Sequence, residues 1–144
     1  MQAAPFDSGA ELAALGIDDG SIGAVVSFIG LCRDEAGRLD ALELEHYPQM
    51  AAQQLERLVA DASSRWTLNR IVLIHRFGLI KPGEPIVLVI TASTHRKDAF
   101  AGAEFLMDYL KTDAPFWKKE HVKNAGATWV EAKASDTQAK QRWD

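Results

Sequence analysis

Two periods of hydrophobic spacing divide this chain. Residues 22–30 (IGAVVSFIG) form a nearly unbroken apolar, β-rich run, the pattern of a buried strand. Residues 39–47 alternate instead, with Leu42, Leu44 and His46 on one face and Glu43 and Glu45 on the other, until Pro48 ends the strand. Over 50–66 the period lengthens. Ala51, Leu55, Leu58, Val59, Ala62 and Trp66 recur at spacings of three and four, which predicts one apolar helical stripe. Residues 69–78 (NRIVLIHRFG) and 85–94 (PIVLVITAST) read as strands. Between them Lys81-Pro82-Gly83-Glu84 places proline and glycine at the centre of a type II turn, so the two are expected to form an antiparallel hairpin. A second helix over 97–111 turns Phe100, Ala103, Leu106, Met107 and Leu110 inward. Segments 117–123 and 127–133 read as two final strands joined by Asn124-Ala125-Gly126, and 135–144 as a polar tail, mobile or docked on a partner. At the other end, Ser8 and Glu11 have capping-box spacing ahead of a short helix closed by Gly16. Helices and strands interleave, but the hairpins argue against an all-parallel sheet. The fold class is α+β.

Composition narrows the functional classes. A chain of 144 residues with 47% hydrophobic and 25% charged residues fits one soluble domain spanning 1–144, with 1–8 and 135–144 as candidate mobile termini. No repeat or low-complexity linker divides it. A net charge of −4 gives no reason to expect nucleic acid as partner, so any anion site must come from a local basic cluster. No apolar run approaches the roughly 18 residues of a membrane span. Residues 1–8 lack the basic and apolar regions of a secretory signal. The single cysteine, Cys32, excludes an internal disulfide and argues against a thiolate zinc site; the expected compartment is the cytoplasm.

Three basic islands carry the candidate chemistry. Arg33 follows the first strand, and His95-Arg96 sits between a strand and a helix N-terminus suited to anions. Lys111, Lys118 and Lys119 flank a helix broken by Pro115. Arginine grips phosphate with a planar fork, whereas two neighbouring lysines depress each other's pKa and can then act as acid, base or nucleophile. Any one of these cations is by itself an ordinary solvated side chain. Cys32 beside Arg33 could be a relay thiol, but a small buried apolar role is the usual one. His46, His75, His95 and His121 lack the close pairing of zinc ligands, and His75 suits a satisfied core position. Ser93, His95 and Asp98 sit too close in the chain for triad geometry.

The segments FIGLCRDEAG, LELEHYPQM, IHRFGLIKPGE, ASTHRKDAF and, most specifically, MDYLKTDAPFWKKE give the chain a family likeness. In order, from about Gly23 to Asp136, it resembles the large, catalytic subunit of molybdopterin synthase. The resemblance implies an α/β hammerhead with an additional antiparallel β-rich part, and no cofactor or metal of its own. It implies insertion of two sulfurs into cyclic pyranopterin monophosphate to make the molybdopterin dithiolene. Sulfur would arrive as a C-terminal thiocarboxylate on a separate, small ubiquitin-like subunit. The implied assembly is a homodimer of large subunits within a heterotetramer.

Carried over residue by residue, the resemblance makes Lys111 and Lys118 the catalytic pair. It assigns substrate contacts to Leu31, Cys32, Arg33, His95, Arg96, Lys111, Lys118, Lys119 and Glu120. Three departures stand out: a short loop over 34–38, Gln49 where glycine is common, and Cys32 where an aliphatic residue is usual. The competing reading is a non-catalytic module that binds a ubiquitin-like tail.

Overall fold

The computed structural model describes residues 1–18, 20–131 and 133–144. Its centre is the apolar run after the type II turn, Pro85–Ser93. In chain order the elements are α1 (Ser8–Ala13), β1 (Ala24–Leu31), a 3-10 turn (Glu35–Gly37), β2 (Leu39–His46), α2 (Pro48–Arg65), β3 (Arg70–His75), β4 (Gly78–Ile80), β5 (Pro85–Ser93), α3 (Arg96–Thr112), β6 (Phe116–Val122), β7 (Gly126–Val130) and α4 (Ala134–Gln141). They build two antiparallel sheets, ordered β1-β5-β3 and β4-β2-β6-β7.

Burial on both faces explains why β5 reads as continuous hydrophobicity. Val87 and Val89 pack against Ala62 of α2 and Ala103, Phe105, Leu106 and Leu110 of α3. Leu88 and Ile90 face the other way, onto Leu15, Phe6, Val25, Val72 and Ile74. Side chains of this size contribute about 1.5–3 kcal/mol each when fully buried. Under the second sheet lies a smaller core of Cys32, Leu39, Leu44 and Ile80.

Several expectations shift in the structure. β1 is not a fully buried strand: it is the edge of its sheet, with Ser27, Phe28 and Ile29 exposed. β3 and β5 do pair antiparallel, but they are not joined by a simple hairpin. Between them the chain makes β4, which crosses to β2 of the other sheet. The turn itself forms as expected, with Glu84 N–H donating to Lys81 O at 3.0 Å and Gly83 at φ +87°. Helix α1 is capped by Asp7, whose Oδ1 accepts from Ala10 N–H at 3.0 Å, and Ser8 is its first helical residue. Pro48 does more than end β2; it opens α2, where its missing N–H leaves no bond unmade. Phe100 is 62% exposed, because it lies on the flank of the apolar stripe of α3. The last strand ends at Val130, two residues before Ala132, which lies outside the described residues. The polar tail forms α4, packed on α3.

Candidate active site

Helix α3 ends where its C-cap Asp113 donates its N–H back to Tyr109 O at 2.8 Å, and Pro115 blocks any continuation. The chain then reverses into β6, so the last turn of the helix and the first residues of the strand stay together. Lys111 is in that last turn and exposed. In β6, register assigns the faces: Phe116 opposes His46, Lys118 opposes Leu44, and Glu120 opposes Leu42 on β2. Directly opposed residues share a face, so Lys118 and Glu120 point to the side on which Leu44 is buried.

The environment of Lys118 is unlike that of a surface lysine. It is half-buried, and its ammonium is disfavoured first by burial and then by the positive charge of Lys111. Asp136 pulls in the opposite direction and Lys133 adds a smaller repulsion. The ring of His75, buried at the end of β3, stacks on Phe116 with centroids 4.2 Å apart. Nδ1 of His75 lies 2.8 Å from Arg76 O, so Nδ1–H donates and Nε2 keeps its lone pair. Burial pushes His75 down to about 4, with the charge of Lys118 contributing. A neutral imidazole and a partly desolvated amine therefore lie near one another on the same side of β6.

The first-strand island lies along the same side. Arg33, its side chain 76% exposed, holds Glu35 through Nη2–Oε1 at 2.8 Å. That contact keeps the Glu35 carboxyl below its usual range, with Lys133 and Arg38 adding smaller favourable charges. Lys133 thus stands within electrostatic reach of both Glu35 and Lys118, linking two islands that are far apart in sequence. A polar recess of about 240 Å³ is lined by Glu35, Arg38, Leu39, Glu120, Val122 and Thr128. Leu31 is 57% exposed beside it in sequence, whereas Cys32 is buried with Sγ 3.8 Å from Ile80 O. Burial raises the Cys32 thiol, so it stays protonated and suits the packing role better than the relay role.

Two expected groups are not gathered here. Lys119 projects from the opposite face of β6. Its Nζ is 3.4 Å from Glu45 Oε1 and 4.3 Å from the centre of the Trp129 ring, and Glu43 binds the neighbouring His121 at 2.6 Å. His95 caps the far end of α3 and Arg96 begins it, about 24 Å along the helix from Lys111 at 1.5 Å per residue. Ser93 Oγ donates to Thr67 O at 2.6 Å and Asp98 Oδ2 accepts from Thr67 N–H, so no triad forms with His95. Conversely, Lys133, Asp136 and His75 join the site without having been singled out for it. Only topology brings the tail and β3 to β6, and nothing in their local spacing signals it.

The family model described as MoaE protein matches residues 1–113. A curated relative from Mesorhizobium japonicum, "Molybdopterin synthase catalytic subunit", is 58% identical over 144 residues, covering 99% of this chain and 91% of its own. Among solved structures, a molybdopterin biosynthesis MoaE protein from Burkholderia ambifaria superposes with a TM-score of 0.83 at 46% identity, over 99% of this chain and 94% of the other. A molybdopterin synthase from Staphylococcus aureus superposes with a TM-score of 0.80 at 28% identity, over 90% and 93%.

Proposed function

The chain belongs to the MoaE protein family, and we infer from that membership that it is the catalytic subunit of a molybdopterin synthase, a sulfur-transferring enzyme of molybdenum cofactor biosynthesis. Its substrate on this reading is cyclic pyranopterin monophosphate. Its sulfur donor is the thiocarboxylated tail of a small ubiquitin-like subunit, and it works in the cytoplasm. The observation that carries the site assignment is the half-buried Lys118, desolvated and facing the charge of Lys111.

Sulfur of the thiocarboxylate forms a bond to a substrate carbon as that carbon's bond to oxygen breaks, the departing oxygen taking a proton from a lysine ammonium, giving a thioester. Water then cleaves the acyl–sulfur bond, leaving sulfur on the substrate and a carboxylate on the donor. Lys111, exposed at the helix end, polarises the incoming thiocarboxylate. Lys118, whose amine loses its proton more easily than a solvated lysine, moves protons during attack and hydrolysis. Arg33, paired with the Glu35 that lines the recess, holds substrate oxygens there, with Leu31 and Cys32 before it in the chain as further contacts. Glu120 offers an acceptor to pterin N–H groups. Lys119, on the outer face, acts on the substrate only indirectly, by fixing the strand through Glu45.

His95 and Arg96 cannot reach the pocket of their own chain. If they bind substrate anions, they do so in the pocket of a second copy, which fits a homodimer at the centre of the complex. The deciding experiment is reconstitution of Lys111→Ala with thiocarboxylated small subunit and pyranopterin precursor. Dithiolene formation should fall by at least about a thousandfold, the range seen for loss of a central catalytic group, while small-subunit affinity stays near wild type. Wild-type turnover in that variant would sink the assignment. Altered affinity with intact chemistry would favour the tail-binding module instead.

A further inference from the structure

The last ten residues are tied to α3 by a dense set of contacts that the chemistry above leaves unused. Asp108 of α3, its side chain only 15% exposed, accepts from Arg142 Nη2 at 2.7 Å, from Arg142 Nε at 3.2 Å and from Trp143 Nε1 at 2.7 Å. Arg142 also reaches Glu104 at 2.7 Å. The Trp143 ring packs edge-on against Trp66 and Phe105, with centroids 5.5 and 5.6 Å away, and its carbonyl accepts from Arg65 at 2.7 Å. Lys140 pairs with Asp113 at 2.7 Å. Asp108 and Asp113 bracket Lys111 in sequence, so the tail is fastened on both sides of the catalytic turn.

The tail's helix, α4, starts near Lys118 of β6. Lys133 caps α4 and Asp136 is in its first turn. Both lie close enough to Lys118 for their charges to act on it. The eight residues of α4 span about 12 Å, a rigid strut between the fastened end and the lysine. One exposed ion pair would be worth little. Here a part-buried carboxylate with three donors is joined to an aromatic anchor in the main core, and that combination fixes a position.

We propose that Asp108, Arg142 and Trp143 form a latch that positions Lys133 and Asp136 against Lys118, making Asp136 the held counter-charge of the catalytic amine. The proposal rests on the reading of Lys118 as catalytic, but its test does not depend on turnover. Competitive acylation of lysine amines with a small anhydride, followed peptide by peptide across pH, reports the titration of Lys118 in the full chain. Among the described residues, the titratable groups that face that amine are Lys111 from α3, the neutral His75 from β3, and Lys133 and Asp136 from the tail.

Asp136→Asn should move the Lys118 midpoint downward, because a carboxylate favours the ammonium. Arg142→Gln combined with Trp143→Phe keeps the aromatic anchor but opens the latch. It should move the midpoint the same way, by about threefold in amine reactivity at fixed pH. Adding Asp136→Asn to that pair should change nothing further, the signature of one shared interaction. Lys97, exposed at the far end of α3, serves as the unmoved control. An unmoved Lys118 in the open-latch variant, or shifts that simply add, would overturn the latch. A shifted midpoint with an unchanged pH profile of sulfur transfer would leave the latch standing and count against Lys118 as the catalytic group.

Discussion

At the scale of single residues, His75 shows how far burial alone can move a group. Its ordinary value is 6.5 and the folded protein holds it near 4, so the native state prefers the neutral ring. Stability from this preference is fully present above about pH 6.5. It is lost as pH falls toward 4, where the unfolded chain takes up a proton that the folded chain refuses. The difference is on the order of 3 kcal/mol. Denaturation midpoints measured between pH 7 and 4 should fall steeply for the native protein and less steeply for His75→Phe. Equal slopes would show that another group carries the acid response. Lys111 and Lys118 stand out in the sequence as candidates because their motif is dense and specific. His75 was legible only as a core histidine, since its closeness to Lys118 depends on how β3 ends against β6.

At the scale of elements, period and turn chemistry located α2, α3 and β2 to within two residues, because each has an amphipathic pattern and a proline or capping signal at an end. Partition into sheets was not legible. The three residues of β4 are too few to carry a period, yet they move the chain from one sheet to the other. Burial of β1 was overread for a related reason: an apolar run does not reveal that one edge is left unpaired. Tight approach at the start of β1 gives a direct test. Gly23 donates its N–H to Ser93 O, and a Cβ on it would lie 2.3 Å from the carbonyl oxygen of Thr94. Gly23→Ala must therefore push two backbone segments apart, and a loss of about 2 kcal/mol or more is expected from denaturant titration. A shift under about 0.5 kcal/mol, typical of unconstrained surface positions, would mean that the β1–β5 edge yields easily.

At the scale of the whole molecule, α3 separates two chemical ends. Lys111 is at one and His95 with Arg96 at the other, so a single copy cannot bring all the expected anion contacts together. A mixing experiment follows. Lys111→Ala and Arg96→Ala should each be inactive alone. If the pockets are completed between copies, co-refolded mixtures should recover roughly a quarter of wild-type turnover, since half the dimers then hold one intact site. No recovery would restrict the pocket to one chain and remove His95 and Arg96 from it. The charges of the tail were the least legible part of the site. A polar helix gives no inward stripe to read, and its placement is decided by Trp143 and Asp108 at the opposite end.

The alternation of β6 has a consequence for deletions. Lys118 and Lys119 are neighbours with the same charge, yet one shares the face of the buried Leu44 and the other faces Glu45 and Trp129. Removing one residue between Pro115 and Lys118 would leave composition and net charge almost unaltered while reversing the phase of the strand. The acidic row that now steadies Lys119 would meet Lys118, and the inner face of the strand would receive its neighbour in its place. Aligned by composition, such a chain would look intact, although its strand would be worn inside out.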